Sequence, residues 1–95
     1  MEHLCGVLAM QGAYAKHLEC LARLGVKSIE VRSLEDLYRC ERLILPGGES
    51  TTMYRLLRQA RLWQPLIRCS EEGMPMFGTS AGMILLSRGI SGIGQ

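Results

Sequence analysis

Long apolar runs are missing from this chain: the longest, such as Val7–Met10 and Met83–Leu86, reach four residues. A helix crossing a bilayer needs about 20, so no membrane partner is expected. Met1-Glu2-His3-Leu4-Cys5 lacks the basic segment and apolar core of an export signal, so the cytoplasm is the expected location. The spacing C-x-x-C is also missing. Cys5, Cys20, Cys40 and Cys69 are scattered, which leaves zinc and thioredoxin-like chemistry without support. With no export signal the thiols should stay reduced. All four read as structural or incidental, and neither a metal nor a cofactor is expected. Excess charge is small, at +2, too little to imply nucleic acid. Arg55, Arg58 and Arg61 recur every third residue, but no aromatic stacking platform accompanies them, so they read as a solvated helix face. No internal repeat, linker or low-complexity segment breaks the chain.

What is present is one small domain. The 95 residues leave no room for two, and 47% apolar with 21% charged residues is a globular balance. Cys5–Met10 is almost wholly apolar, as a strand buried on both faces must be. After Gln11-Gly12 the period changes. Tyr14, Leu18, Leu21, Ala22 and Gly25 fall on one face of a helix that Gly25 would stop. Ser28–Val31 alternates as a strand, and Ser33-Leu34-Glu35-Asp36 is a helix start signal. Arg42–Leu45 is a third strand, ended by Pro46-Gly47-Gly48. Ser50, Thr51 or Thr52 would cap a helix with Met53, Leu56, Leu57 and Ala60 on one face. Pro65 disfavours helix at Gln64 and suits the first turn of another helix running to Glu72. Met74–Gly78 is a fourth strand. Thr79-Ser80-Ala81-Gly82 then turns into an apolar helix, Met83–Leu86, and the glycine-rich tail to Gln95 reads as loop.

Strand and helix alternate four times. The expected fold is therefore α/β, a doubly wound, mainly parallel sheet with helices on both faces. Ligands in such sheets bind outside the carboxyl ends of the strands. Those ends carry Gln11-Gly12, Pro46-Gly47-Gly48-Glu49 and Gly78-Thr79-Ser80.

Gly78-Thr79-Ser80-Ala81-Gly82 fits G-x-S-x-G between a strand and a helix. A side chain at the centre of such a turn is pushed into the open, beside the free N–H groups of the following helix. An exposed nucleophile with amide donors is what acyl transfer requires. The plainer reading makes Ser80 a turn residue capping the next helix. Two other glycine-rich stretches carry less. Gly47-Gly48-Glu49-Ser50-Thr51-Thr52 lacks the lysine and spacing of a phosphate loop. Gly89-Ile90-Ser91-Gly92-Ile93-Gly94 has no strand before it.

Three blocks resemble one family, in its order: Gly6–Ala13, Leu45–Met53 and Phe77–Leu86. The chain is similar there, nearly residue for residue, to the glutaminase subunit of pyridoxal phosphate synthase, a class I glutamine amidotransferase. The resemblance implies a flavodoxin-like fold, a truncated one, with residues 1–95 forming the N-terminal half of the domain. It also implies hydrolysis of L-glutamine to glutamate and ammonia through an acyl-enzyme, the ammonia passing to the synthase subunit. Gly47, Gly48 and Glu49 would contact glutamine. The N–H groups of Gly48 and Ala81 would form the oxyanion hole. Ser80 would hold the nucleophile position, and Gln11 and Gly12 would lie near the synthase docking surface.

Two departures bear on activity. The family has cysteine where this chain has Ser80, and a hydroxyl needs an adjacent base that a thiol needs far less. The family's histidine and glutamate would lie beyond Gln95. His3 and His17 are placed by no motif as a base, and Glu49 alone cannot activate a serine. The 95-residue form is thus expected to be inactive, by design or by decay. One alternative is a non-catalytic docking module for the synthase subunit. A serine esterase is another, although no His, Asp or Glu follows Ser80. An incomplete sheet should also leave an edge and part of a face exposed and favour association.

Overall fold

In the computed structural model of the chain the residues described are 4–10, 14–47 and 50–78. Four strands and four helices follow in the order β1 (Cys5–Leu8), α1 (Tyr14–Arg23), β2 (Ser28–Val31), α2 (Leu34–Arg39), β3 (Arg42–Leu45), α3 (Ser50–Gln59), α4 (Trp63–Glu71) and β4 (Met76–Gly78), with two helices between β3 and β4. The strands form one sheet in the order β2-β1-β3-β4, and every neighbouring pair is parallel. β1 lies between two strands, and all four of its residues are buried. That is why its sequence is a continuous apolar run and not an alternation.

Register assigns the faces. Gly6 pairs with Ile29 and Leu43, and Leu43 pairs with Met76. Paired residues on adjacent strands share a face, so Gly6, Leu8, Val31, Leu43 and Leu45 look one way. There they meet Leu37 and Cys40 from α2 and the end that follows it, Met53 and Leu57 from α3, and Trp63, Leu66 and Cys69 from α4, in a single buried cluster. Full burial of a side chain such as Leu43 or Leu66 is worth about 1.5–3 kcal/mol, so this layer holds the sheet together. Cys5, Val7, Ile44 and Phe77 look the other way. α1 packs on that side, against β1 and β2.

Helix ends follow local rules. Ser33 Oγ accepts from the Asp36 N–H at 3.2 Å, and Asp36 Oδ2 accepts from the Arg32 N–H at 3.1 Å, a reciprocal cap that starts α2. At the far ends of α1, α3 and α4 the same motif recurs. Val26 N–H donates to Leu21 O at 2.9 Å, Leu62 to Leu57 at 2.8 Å, and Met74 to Cys69 at 2.9 Å. Each needs a left-handed residue just past the helix. Gly25 (φ 75°) and Gly73 (φ 100°) supply two, but the third is Arg61 at φ 60°.

Several expected boundaries move. β1 ends at Leu8, not Met10, and β4 begins at Met76, not Met74. α4 begins at Trp63 and includes Gln64, against the expectation from Pro65. The proline occupies the third helical position, where its missing N–H has no partner to lose. α3 already includes Ser50, so Thr51 and Thr52 are helical residues and not caps. The expected turn at 79–82, the helix at Met83–Leu86 and the tail lie outside the described residues.

Candidate functional site

Sheet order decides which loops can meet. The chain leaves β1 for β2 on one side, then returns to β3 on the other. Such a reversal opens a crevice at the carboxyl ends of the two inner strands. β3 and β4 are neighbours, with Leu45 paired to Gly78. Leu45, which leads into Pro46-Gly47, and Gly78 are therefore paired ends of adjacent strands, about 5 Å apart. Leu45 and Pro46 are fully buried and Gly78 is buried, so both departure points are anchored in the core. Gly47 is half-buried at this rim.

The start of α1 is tied to the same rim. Arg32, just past β2, donates to Glu30 Oε1 at 2.7 Å and to Tyr14 Oη at 3.1 Å. Its guanidinium carbon lies 5.3 Å from the Tyr14 ring centroid, a cation–π geometry. The Glu30 carboxylate, the Tyr14 hydroxyl and their charges raise the Arg32 pKa. Tyr14 opens α1, so this exposed cluster fixes where the loop after β1 rejoins the fold. The Ala9 N–H donates to Val31 O at 3.0 Å and fixes where that loop departs.

Of the residues singled out in the sequence, Gly47 is described at the end of β3. Gln11, Gly12, Gly48, Glu49, Ser80 and Ala81 lie outside the described residues, as does His3. His17 lies half-buried in α1. The four cysteines are free, Cys20 exposed and Cys5, Cys40 and Cys69 buried. Burial pushes the Cys40 thiol up to about 11, and it raises Cys5 and Cys69 too. None of the buried three is a poised nucleophile. Among the described residues, no group of three or more His, Cys, Asp or Glu could hold a metal ion. No described helix is long and apolar enough to cross a membrane.

Two features escaped the sequence reading. Gly6 sits against Cys40, so that a Cβ built on it would lie 2.6 Å from Cys40 Sγ. Phe77, next to the last residue of β4, is 60% exposed. A glycine inside an apolar strand is the one sequence signal for the first. Nothing in the local pattern marks the second.

Known proteins agree with this arrangement. The model of the SNO glutamine amidotransferase family matches residues 7–94. A pyridoxal 5′-phosphate synthase subunit PdxT of Pelotomaculum thermopropionicum is 50% identical over 90 residues, which is 95% of this chain and 46% of the relative. The subunit of that name from Clostridium acetobutylicum is 53% identical over 85 residues, 90% of this chain and 46% of the relative. A crystal structure of a glutamine amidotransferase superposes with a TM-score of 0.79 at 46% identity, covering 84% of this chain and 43% of that one. The chain spans about half the length of the curated relatives it matches. With the flavodoxin-like strand order, the paired ends of β3 and β4 and a family match over nearly the whole sequence, this chain belongs to the SNO glutamine amidotransferase family.

Proposed function

We propose that this chain carries the glutamine-binding and nucleophile-bearing part of a glutaminase subunit of pyridoxal phosphate synthase. The supporting observation is the pairing of Leu45 with Gly78. It ends β3 and β4 at neighbouring points on one rim, which supports a pocket shared by the proposed Gly47-Gly48-Glu49 loop and Ser80 turn. In this reading Gly47, Gly48 and Glu49 hold L-glutamine, and the N–H groups of Gly48 and Ala81 receive the oxyanion. Position 80 attacks the side-chain amide, the carbon–nitrogen bond breaks and ammonia leaves; water then hydrolyses the acyl-enzyme to glutamate. Gln11 and Gly12 lie near the surface that meets the synthase subunit, to which the ammonia passes. The protein works in the cytoplasm, without nucleic-acid or membrane partners and without a cofactor.

Ser80 sets the rate. A hydroxyl of ordinary acidity does not ionise near neutrality and needs a base placed against it. The Ser80 form therefore binds glutamine and does not turn it over. Calorimetric titration with L-glutamine should show binding without ammonia release, and Gly47→Val should weaken that binding at least about tenfold by filling the pocket floor. In a chain extended to the length of the relatives, with the synthase subunit present, Ser80→Cys should restore ammonia release. No glutamine binding, or continued silence of that extended variant, would overturn the assignment.

A further inference from the structure

In sequence, Arg55, Arg58 and Arg61 read as one solvated stripe without an aromatic platform. The structure divides them. Arg58 and Arg61 line a cavity of about 260 Å³ with Trp63 and Gln64, and Arg55 is not among the described residues that line it. Aromatic rings do accompany the pair. The Tyr54 and Trp63 rings meet edge to face at 4.8 Å, and the Arg58 guanidinium carbon lies 5.7 Å from the Tyr54 ring centroid. Arg58 Nη1 donates to Tyr54 Oη at 2.9 Å, which holds the guanidinium in place and leaves its other donors to the cavity. Arg61 is placed by its backbone, at φ 60°, with its N–H donating to Arg58 O at 3.1 Å. A non-glycine residue kept in that region is a strained one, and such strain clusters where a side chain serves a ligand. Among the described residues the ion pair is between Arg32 and Glu30, and neither Arg58 nor Arg61 has a carboxylate partner. Residues 79–95 hold no Asp or Glu that could supply one.

We propose that this cavity binds a phosphate group, free or carried as a small monoester. Charge favours phosphate over carboxylate: two guanidinium groups match the charge of about −1.5 to −2 that a phosphate carries near neutrality. Each guanidinium also presents parallel N–H donors to a pair of its oxygens, and Gln64 adds an amide. Size limits the rest of the ligand. Pockets for drug-sized molecules hold about 300–1,000 Å³, so this one takes the anionic head and leaves any ester group outside. The side chain of Arg61 is then the reason for an arginine where glycine would sit with less strain.

Trp63 is the chain's only tryptophan and lines the cavity, so the emission of the 95-residue chain reports binding directly. Titration with inorganic phosphate, at an ionic strength held constant with sodium chloride, should change that emission along a saturable curve. Methyl phosphate separates the two sources: a lower midpoint marks a monoester as the ligand, an equal or higher one free phosphate. Arg58→Gln and Arg61→Gly should each raise the midpoint at least about tenfold, the loss of a charge-assisted contact. Arg23, exposed on α1 on the other side of the sheet, is the control for general charge. Arg23→Gln should leave the midpoint within about twofold, because a distant exposed charge is screened. Arg61→Gly separates binding from folding, since glycine suits φ 60°: its melting temperature should rise while its affinity falls. The proposal is overturned if the emission does not saturate, if acetate binds as well as phosphate, if Arg23→Gln weakens binding as much as Arg58→Gln, or if Arg61→Gly binds as the parent does.

Discussion

Adding a methyl group at Gly6 probes a close approach between the sheet and the residues that cover it. A Cβ there would lie 2.6 Å from Cys40 Sγ, 2.7 Å from Val31 Cγ2 and 3.1 Å from Leu43 Cδ1. None of these neighbours has room to give. Val31 and Leu43 are essentially fully buried, and a β-branched side chain is stiff at χ1. Cys40 is held by its thiol, which donates to Leu37 O at 3.2 Å. Overpacking of this kind costs about 1–3 kcal/mol, against a total on the order of 5–15 kcal/mol for a domain. In a chain of this size each kcal/mol moves Tm by roughly 4–8 °C. Gly6→Ala should therefore lower Tm by about 8–16 °C for a mid-range cost of about 2 kcal/mol, followed by far-UV circular dichroism. In a Cys40→Ala background the same change should cost less, because the closest atom is gone, with a coupling of about 0.5 kcal/mol or more. The Val31 contact remains, so the rescue should be partial. A Tm within about 2 °C of the parent, as for a neutral surface change, would refute the packing argument.

Arg61 occupies a left-handed position that glycine fills in the two equivalent motifs; Arg61→Gly should stabilise the fold by about 0.5–1 kcal/mol, read as a higher melting temperature. Ser33→Ala removes the acceptor for the Asp36 N–H and should cost about 1 kcal/mol, with the slowed exchange of α2 amides lost first. The Arg32 N–H, by hydrogen bonding, holds the Asp36 carboxyl below its usual pKa. A depressed folded pKa stabilises above the unfolded value and is lost as pH falls through the folded one, so α2 should loosen below about pH 3.9. Asp36→Asn should flatten that acid limb of the melting profile. Cys20 is exposed while Cys5, Cys40 and Cys69 are buried, so an aromatic disulfide reagent should titrate one thiol quickly in the native chain and four after denaturation. Two or more fast thiols would contradict the core assignment.

Much of the fold is legible because its signals are local. A continuous apolar run marks β1 as buried on both faces, the alternation of Ser28–Val31 marks a strand, and Ser33 with Asp36 announces α2. Boundaries are less legible because the competing terms are small. Pro65 suits several positions of a first turn equally, and burial of Trp63 and Leu66 draws the helix start two residues earlier. Arg61 left no trace because its side chain contradicts the backbone it adopts; the hydrogen bonds from Arg61 and Leu62 back to α3 outweigh that strain. The site residues are legible as motifs, since G-x-S-x-G and the glycines after Pro46 stand out in the sequence. Their common rim follows from the parallel sheet that the strand–helix alternation implies, but which strands are neighbours is not legible, because strand order is a long-range property. Only the structure shows that β3 and β4 are neighbours with Leu45 paired to Gly78, and that the strand order reverses between β1 and β3.

A crystal structure of the chain grown with saturating L-glutamine reads the proposed pocket most directly. The account predicts the ligand's side-chain amide lodged between the backbone after Gly47 and the hydroxyl of Ser80. Glutamine bound at another surface, or Ser80 packed beneath the sheet with the Gly47 loop on the opposite rim, would contradict it.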